Sequence, residues 1–79
     1  MERHPVILSI AGSDCSGGAG IQADIKTISA LGGYTASAIT AITIQNTLGV
    51  RAVQSIAPDI VRGQIEAVMD DLQPVAIKI

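Results

Sequence analysis

Nine residues near the N-terminus, Gly12-Ser-Asp-Cys-Ser-Gly-Gly-Ala-Gly20, hold four of the chain's eight glycines together with short polar side chains. Such residues turn easily and leave backbone N–H groups without steric cover. A β-branched run, Val6 to Ala11, precedes them and a helical pattern follows. A glycine-rich loop between a buried strand and a helix N-terminus is where α/β proteins hold ligands, because free N–H groups and the helix dipole both point into it. Two short nucleotide motifs compete for the loop. A phosphate-binding P-loop would use the four-residue gap between Gly12 and Gly17, but Gly18 stands where the phosphate-binding Lys is required, and Ala19 replaces Ser or Thr. Lys26 lies almost two helical turns further on and cannot substitute. A dinucleotide fingerprint finds Gly18-Ala-Gly20-Ile-Gln-Ala23, yet no Asp or Glu occurs between Asp24 and Asp59 to hold a ribose hydroxyl at the end of the next strand.

The elements that must position this loop are legible from periodicity. Val6 to Ala11 has the composition of a strand buried on both faces. Ile21, Ile25, Ile28 and Leu31 recur at helical spacing, with Gln22, Asp24, Lys26 and Ser29 on the other faces, and Gly32-Gly33 stops that helix. Tyr34 to Ile44, rich in Thr, Ile and Ala, predicts a second strand that helices approach closely. Gln45 to Gly49 reads as a turn, and Val50 to Ile56 as a third, half-exposed strand. Pro58 and Asp59 open a second helix with a predicted buried stripe of Ile60, Val61, Ile65, Val68, Met69 and Leu72. Pro74 ends it, and Val75 to Ile79 begins a fourth strand. This order predicts α/β architecture with a largely parallel sheet. A final parallel strand with no covering helix leaves an open edge, so the chain reads as the N-terminal portion of a larger α/β domain.

Composition narrows the function classes. Seventy-nine residues allow at most one small domain, and a single Tyr34 with no Phe or Trp leaves the core to Ile, Val, Leu and Ala. One cysteine and one histidine assemble neither a disulfide framework nor a zinc site, so no metal ligands are assigned. Five basic against seven acidic residues, with no basic cluster, argue against nucleic acid as a partner. Thr27 to Val50 carries no charge, but Gly32-Gly33, five threonines, Gln45 and Asn46 interrupt it, so no membrane span is expected. The N-terminus has no signal-peptide pattern, and the lone cysteine fits a reducing compartment, so the expected location is cytoplasmic.

Taken whole, Ala11-Gly-Ser-Asp-Cys-Ser-Gly-Gly-Ala-Gly-Ile-Gln-Ala-Asp-Ile-Lys-Thr27 resembles the N-terminal motif of the hydroxymethylpyrimidine and phosphomethylpyrimidine kinases of thiamine biosynthesis, members of the ribokinase-like superfamily. Ser29-Ala-Leu-Gly-Gly-Tyr34, Ile39-Thr-Ala41, Gln45-Asn-Thr47 and Pro58-Asp59 follow that family in order and spacing. The resemblance implies the N-terminal part of a ribokinase-like three-layer fold, and a parent enzyme that phosphorylates 4-amino-5-hydroxymethyl-2-methylpyrimidine and its monophosphate. It implies ATP and Mg²⁺ as cofactors, bound mainly outside this chain, and a homo-oligomeric full-length protein. Carried over by residue, Asp24 and Gln45 would be polar contacts to the pyrimidine, with Gly12, Ala19 and Thr43 as backbone or wall positions.

An aminopyrimidine offers an exocyclic donor and ring-nitrogen acceptors, which suit a carboxylate and a carboxamide converging at the ends of neighbouring parallel strands. Asp24 is placed in the first turn or so of the helix, facing that mouth, where the dipole also favours a carboxylate. Ser13, Asp14 and Ser16 are read as turn-stabilising, Cys15 as a small loop residue, and His4 as part of a flexible terminus. No catalytic residue is assigned within the chain, and the isolated 79-mer is expected to be inactive. A pyridoxal kinase and a freestanding pyrimidine-binding or interaction module remain the alternatives.

Overall fold

Described over residues 4–79, the computed structural model makes the β-branched run after Pro5 an inner strand of a four-stranded sheet. In chain order the elements are β1 (Val6–Asp14), α1 (Gly20–Ala30), β2 (Tyr34–Asn46), β3 (Gly49–Ser55), α2 (Pro58–Asp71) and β4 (Ala76–Lys78). The sheet order is β3-β2-β1-β4. β1 runs parallel to both β2 and β4, while β3 returns antiparallel along β2. The α/β class and the largely parallel sheet follow the sequence expectation.

Side-chain alternation along β1 separates the two faces. Val6, Leu8 and Ile10 turn to one side, where they pack with Ala36 and Ala38 of β2 and with Ile65 and Val68 of α2. Leu8 pairs in register with Ala36 and Ile10 with Ala38, and the small alanines let α2 lie close to the sheet. Ser9 turns to the opposite side and meets α1 through Asp24. The helices therefore cover opposite faces, giving three layers with the sheet in the middle.

Several boundaries and faces differ from the sequence reading. β1 continues three residues past Ala11 to Asp14, because the backbone keeps pairing with β2 across an irregularity between Ala11 and Ser13. The predicted turn contracts to Thr47-Leu48, since Gln45 and Asn46 stay in the ladder opposite Val50 and Gly49. All seven residues of β3 are exposed, rather than half of them, because β3 lies at the sheet edge. The inner face of α1 carries Ile21, Asp24 and Ile28, while Ile25 and Leu31 of the predicted stripe are exposed. No residue of α2 is fully buried: Val61, Ile65 and Val68 are half-buried, and Ile60, Met69 and Leu72 face outward.

On the outer edge of β2 the ladder with β3 begins at Ala41, with Ile56 N reaching Thr40 O at 2.9 Å just before it, which leaves Ile39 without a strand partner there. Gln64 of α2 closes part of that gap, its Nε2 donating to Ile39 O and its Oε1 accepting from Ile39 N, both at 2.9 Å. A partly buried backbone pair left unmet would be destabilising, so this side chain ties α2 to the sheet in addition to its apolar contacts. Among the described residues no helix is long and apolar enough to cross a membrane.

Candidate functional site

The parallel ends of β1 and β2 open on the same side, and the glycine loop sits over them. Its far end folds back onto its origin through a bridge between Ser13 and Gly20. Gly20 has φ +59°, and a Cβ there would stand 2.3 Å from Gly12 O, so only glycine permits this return. Gln22, two residues into α1, clamps the same junction. Its Oε1 accepts from Asp14 N and its Nε2 donates to Ser13 Oγ, each at 2.8 Å.

Asp14 organises the interior of the loop. One carboxylate oxygen accepts from Ser16 N at 2.9 Å and from Ser16 Oγ at 2.7 Å; the other accepts from Gly18 N at 3.1 Å. Gly17 N donates to the Asp14 carbonyl at 2.9 Å. The turn-stabilising role expected for Asp14 and Ser16 is thus seen directly. Asp14 is only 4% exposed. The Ser16 hydroxyl, and after it the Gln45 side chain, hold the carboxyl down from 3.8 to about 2.

A shallow cleft of about 150 Å³ opens beside the loop. Gly12, Ala19, Thr43 and Gln45, four of the five residues expected to contact a pyrimidine, line it together with Ser13, Asp14 and Gly20. Thr43 is fixed by donating its hydroxyl to Ser13 O at 2.9 Å. Cys15 is exposed, its thiol donating to Gln45 O at 3.1 Å. The cleft is lined by small residues and presents an almost wholly apolar surface, a setting for the face of a flat ring, with Gln45 among its lining residues.

The fifth expected residue, Asp24, does not line this cleft. It is the fifth residue of α1, past the first turn, and it faces the sheet. Its Oδ2 accepts from Ser9 Oγ at 2.5 Å and from Lys78 Nζ of β4 at 3.0 Å. The Ser9 hydroxyl first, then Lys78, hold its carboxyl below the ordinary value. Asp24 therefore joins α1, β1 and β4, and the sequence reading missed both partners, which lie 15 and 54 residues away. His4, at the start of the described residues, is exposed, and its Nδ1 lies 3.0 Å from Gly32 O. Lys26 extends back over the loop to donate to Gly17 O at 2.8 Å. Among the described residues no three His, Cys, Asp or Glu side chains come together as a metal site.

Comparison with known proteins accords with this geometry. The sequence model of the phosphomethylpyrimidine kinase family matches residues 14–79. The hydroxymethylpyrimidine/phosphomethylpyrimidine kinase of Rhizobium meliloti is 62% identical over 74 residues, 94% of this chain and 28% of that protein. A crystal structure of the Clostridium difficile phosphomethylpyrimidine kinase superposes with a TM-score of 0.88 at 60% identity, covering 91% of this chain and 33% of that one. The Staphylococcus aureus pyridoxal kinase, in complex with AMP-PCP, superposes at 0.85 with 37% identity, over 96% of this chain and 28% of that one. The chain thus spans about 28% of the length of the curated relative named above. With the family's sequence pattern running from the glycine loop to Ile79 on a ribokinase-like sheet, this chain belongs to the phosphomethylpyrimidine kinase family.

Proposed function

We propose that this chain is the N-terminal, acceptor-binding part of an ATP-dependent kinase domain that phosphorylates 4-amino-5-hydroxymethyl-2-methylpyrimidine and its monophosphate in thiamine biosynthesis. The observation that carries the reading is the convergence of Gly12, Ala19, Thr43 and Gln45 on one cleft at the ends of β1 and β2, within a chain of this family. In this reading the pyrimidine ring lies against the glycine loop. Gln45 meets its amine and ring nitrogen, and Thr43 and Ala19 form the walls. Asp24 acts at one remove, by seating α1 on the sheet through Ser9 and Lys78.

The phosphoryl donor is ATP, with Mg²⁺ to neutralise the charge that develops in transfer. The described residues do not fit that donor: the loop N–H groups of Ser16, Gly17 and Gly18 are occupied by Asp14, and no metal cluster is formed. In this reading both are bound mainly by parts outside this chain, and no step is derived through them. The isolated 79-residue polypeptide is inactive in this account; the whole protein is cytoplasmic and homo-oligomeric. Superposition on a pyridoxal kinase gives a second reading, with pyridoxal as the acceptor alcohol.

The test is a competition assay of the whole protein with ATP, the pyrimidine alcohol and pyridoxal. Preferential phosphorylation of the pyrimidine is expected. Preference for pyridoxal would establish the second reading, and transfer to neither would refute both.

A further inference from the structure

Loops of this kind, between a parallel strand and a helix, commonly hold phosphate in their backbone N–H groups. Here the corresponding groups already have an anion. Ser16 N, Ser16 Oγ and Gly18 N all donate to the Asp14 carboxylate, and Gly17 N donates to the Asp14 carbonyl. The carboxylate belongs to the strand that feeds the loop, is almost fully covered, and forms part of the cleft lining. Lys26, a basic side chain that reaches the loop, is turned to Gly17 O. An incoming phosphate would meet a fixed negative charge and no free donor among Ser16, Gly17 and Gly18.

We propose that Asp14 sets the charge preference of the cleft: its carboxylate fills the anion-binding pocket of the glycine loop from within, so that a ligand lays an uncharged, hydrogen-bonding ring against the loop and carries any phosphoryl group away from it. The same glycine pattern that suggests a nucleotide loop in sequence is thereby converted into a wall for a neutral ring. A carboxamide at this position would keep acceptor capacity for one or two of the donors but remove the repulsion, and would open the loop to anions. For the pyrimidine monophosphate this fixes orientation, with the phosphate remote from Ser16 and Gly18. This orientation rests on the reading of the cleft as a pyrimidine site, whereas the exclusion of anions from the loop does not.

The experiment is residue-resolved. Backbone amide signals of Ser16 and Gly18 are followed by NMR in the whole protein during titration with millimolar inorganic phosphate, in the wild type and in Asp14→Asn. In the wild type both signals are expected to stay in place; phosphate bound elsewhere leaves them unmoved. In Asp14→Asn both are expected to shift, with phosphate affinity at the loop raised at least about tenfold, the scale of a charge-assisted hydrogen bond. Saturable shifts in the wild type would overturn the proposal, as would a folded Asp14→Asn protein whose amides ignore phosphate. The wild-type arm needs no variant, so a misfolded Asp14→Asn does not shield the proposal. A parallel titration with the pyrimidine alcohol separates the two readings: amides unmoved by phosphate and also by the alcohol refute the proposed acceptor site while leaving the exclusion of anions standing.

Discussion

Gly20→Ala tests the geometry of the loop most sharply. The new Cβ would lie 2.3 Å from Gly12 O, 3.2 Å from Gly12 C and 3.5 Å from Asp14 N, all backbone atoms of β1 that cannot rotate away. Two costs add. Holding a residue with a Cβ in the left-handed region costs about 1–2 kcal/mol, and forcing packed backbone apart costs about 1–3 kcal/mol. The sum, about 2–5 kcal/mol, would lower the Tm of a domain of the relatives' size by roughly 5–15 °C. Two glycines calibrate the measurement. Gly32→Ala has the left-handed cost, at φ +89°, with nothing within 4 Å of the new carbon, so a loss of about 1 kcal/mol is expected. Gly63→Ala, within α2 and also in open space, should gain about 0.5–1 kcal/mol. Thermal unfolding of the whole protein, with calorimetry of pyrimidine binding, reads all three. Gly20→Ala should also weaken binding, because Gly12 and Gly20, which the new Cβ would drive apart, both line the cleft. Equal losses for Gly20→Ala and Gly32→Ala would refute the reasoning, since the strand would then be yielding freely to the added carbon.

The Asp14 carboxyl should titrate with a midpoint near 2 in the folded protein when followed by carboxyl ¹³C NMR. A folded pKa below the unfolded one contributes stability that is complete above about pH 4 and is lost as pH falls through about 2; a midpoint near 4 would contradict the hydrogen bonds assigned to it. Lys78→Met removes an ion pair whose ammonium side chain is 53% exposed, so solvent screening limits the loss in urea unfolding to about 1 kcal/mol or less. Ser9→Ala should cost more, about 1–3 kcal/mol, because Ser9 is fully buried and its hydroxyl is the stronger influence on the Asp24 carboxylate. The reverse order for these two variants would show that the charge, rather than the buried hydroxyl, seats α1 on the sheet.

Features that depend on near neighbours are legible in the residue pattern alone. Alternation and helical period placed six elements within a few residues of their ends, because a strand or helix must present one apolar side and its spacing is local. Asp14 and Ser16 were legible as turn-formers for the same reason: their partners lie two to four residues away. The family motif carried Gly12, Ala19, Thr43 and Gln45 to one site before any geometry was known, although nothing in their spacing alone brings residues 12 and 45 together. Contacts between residues far apart in the chain emerge only on folding. Asp24, which the family motif makes a polar contact to the pyrimidine, also meets Ser9 of β1 and Lys78 of β4, partners 15 and 54 residues away that no local pattern announces, and so joins three elements. Gln22 and Gln64 carry no sequence signal, since a glutamine clamp needs backbone groups that only the folded sheet leaves unpaired. The glycine loop announces a place for an anion, but whether that place stays open depends on where the Asp14 carboxylate falls after the chain has turned back at Gly20. Local pattern fixes which backbone donors are exposed; the three-dimensional path fixes which acceptor reaches them first.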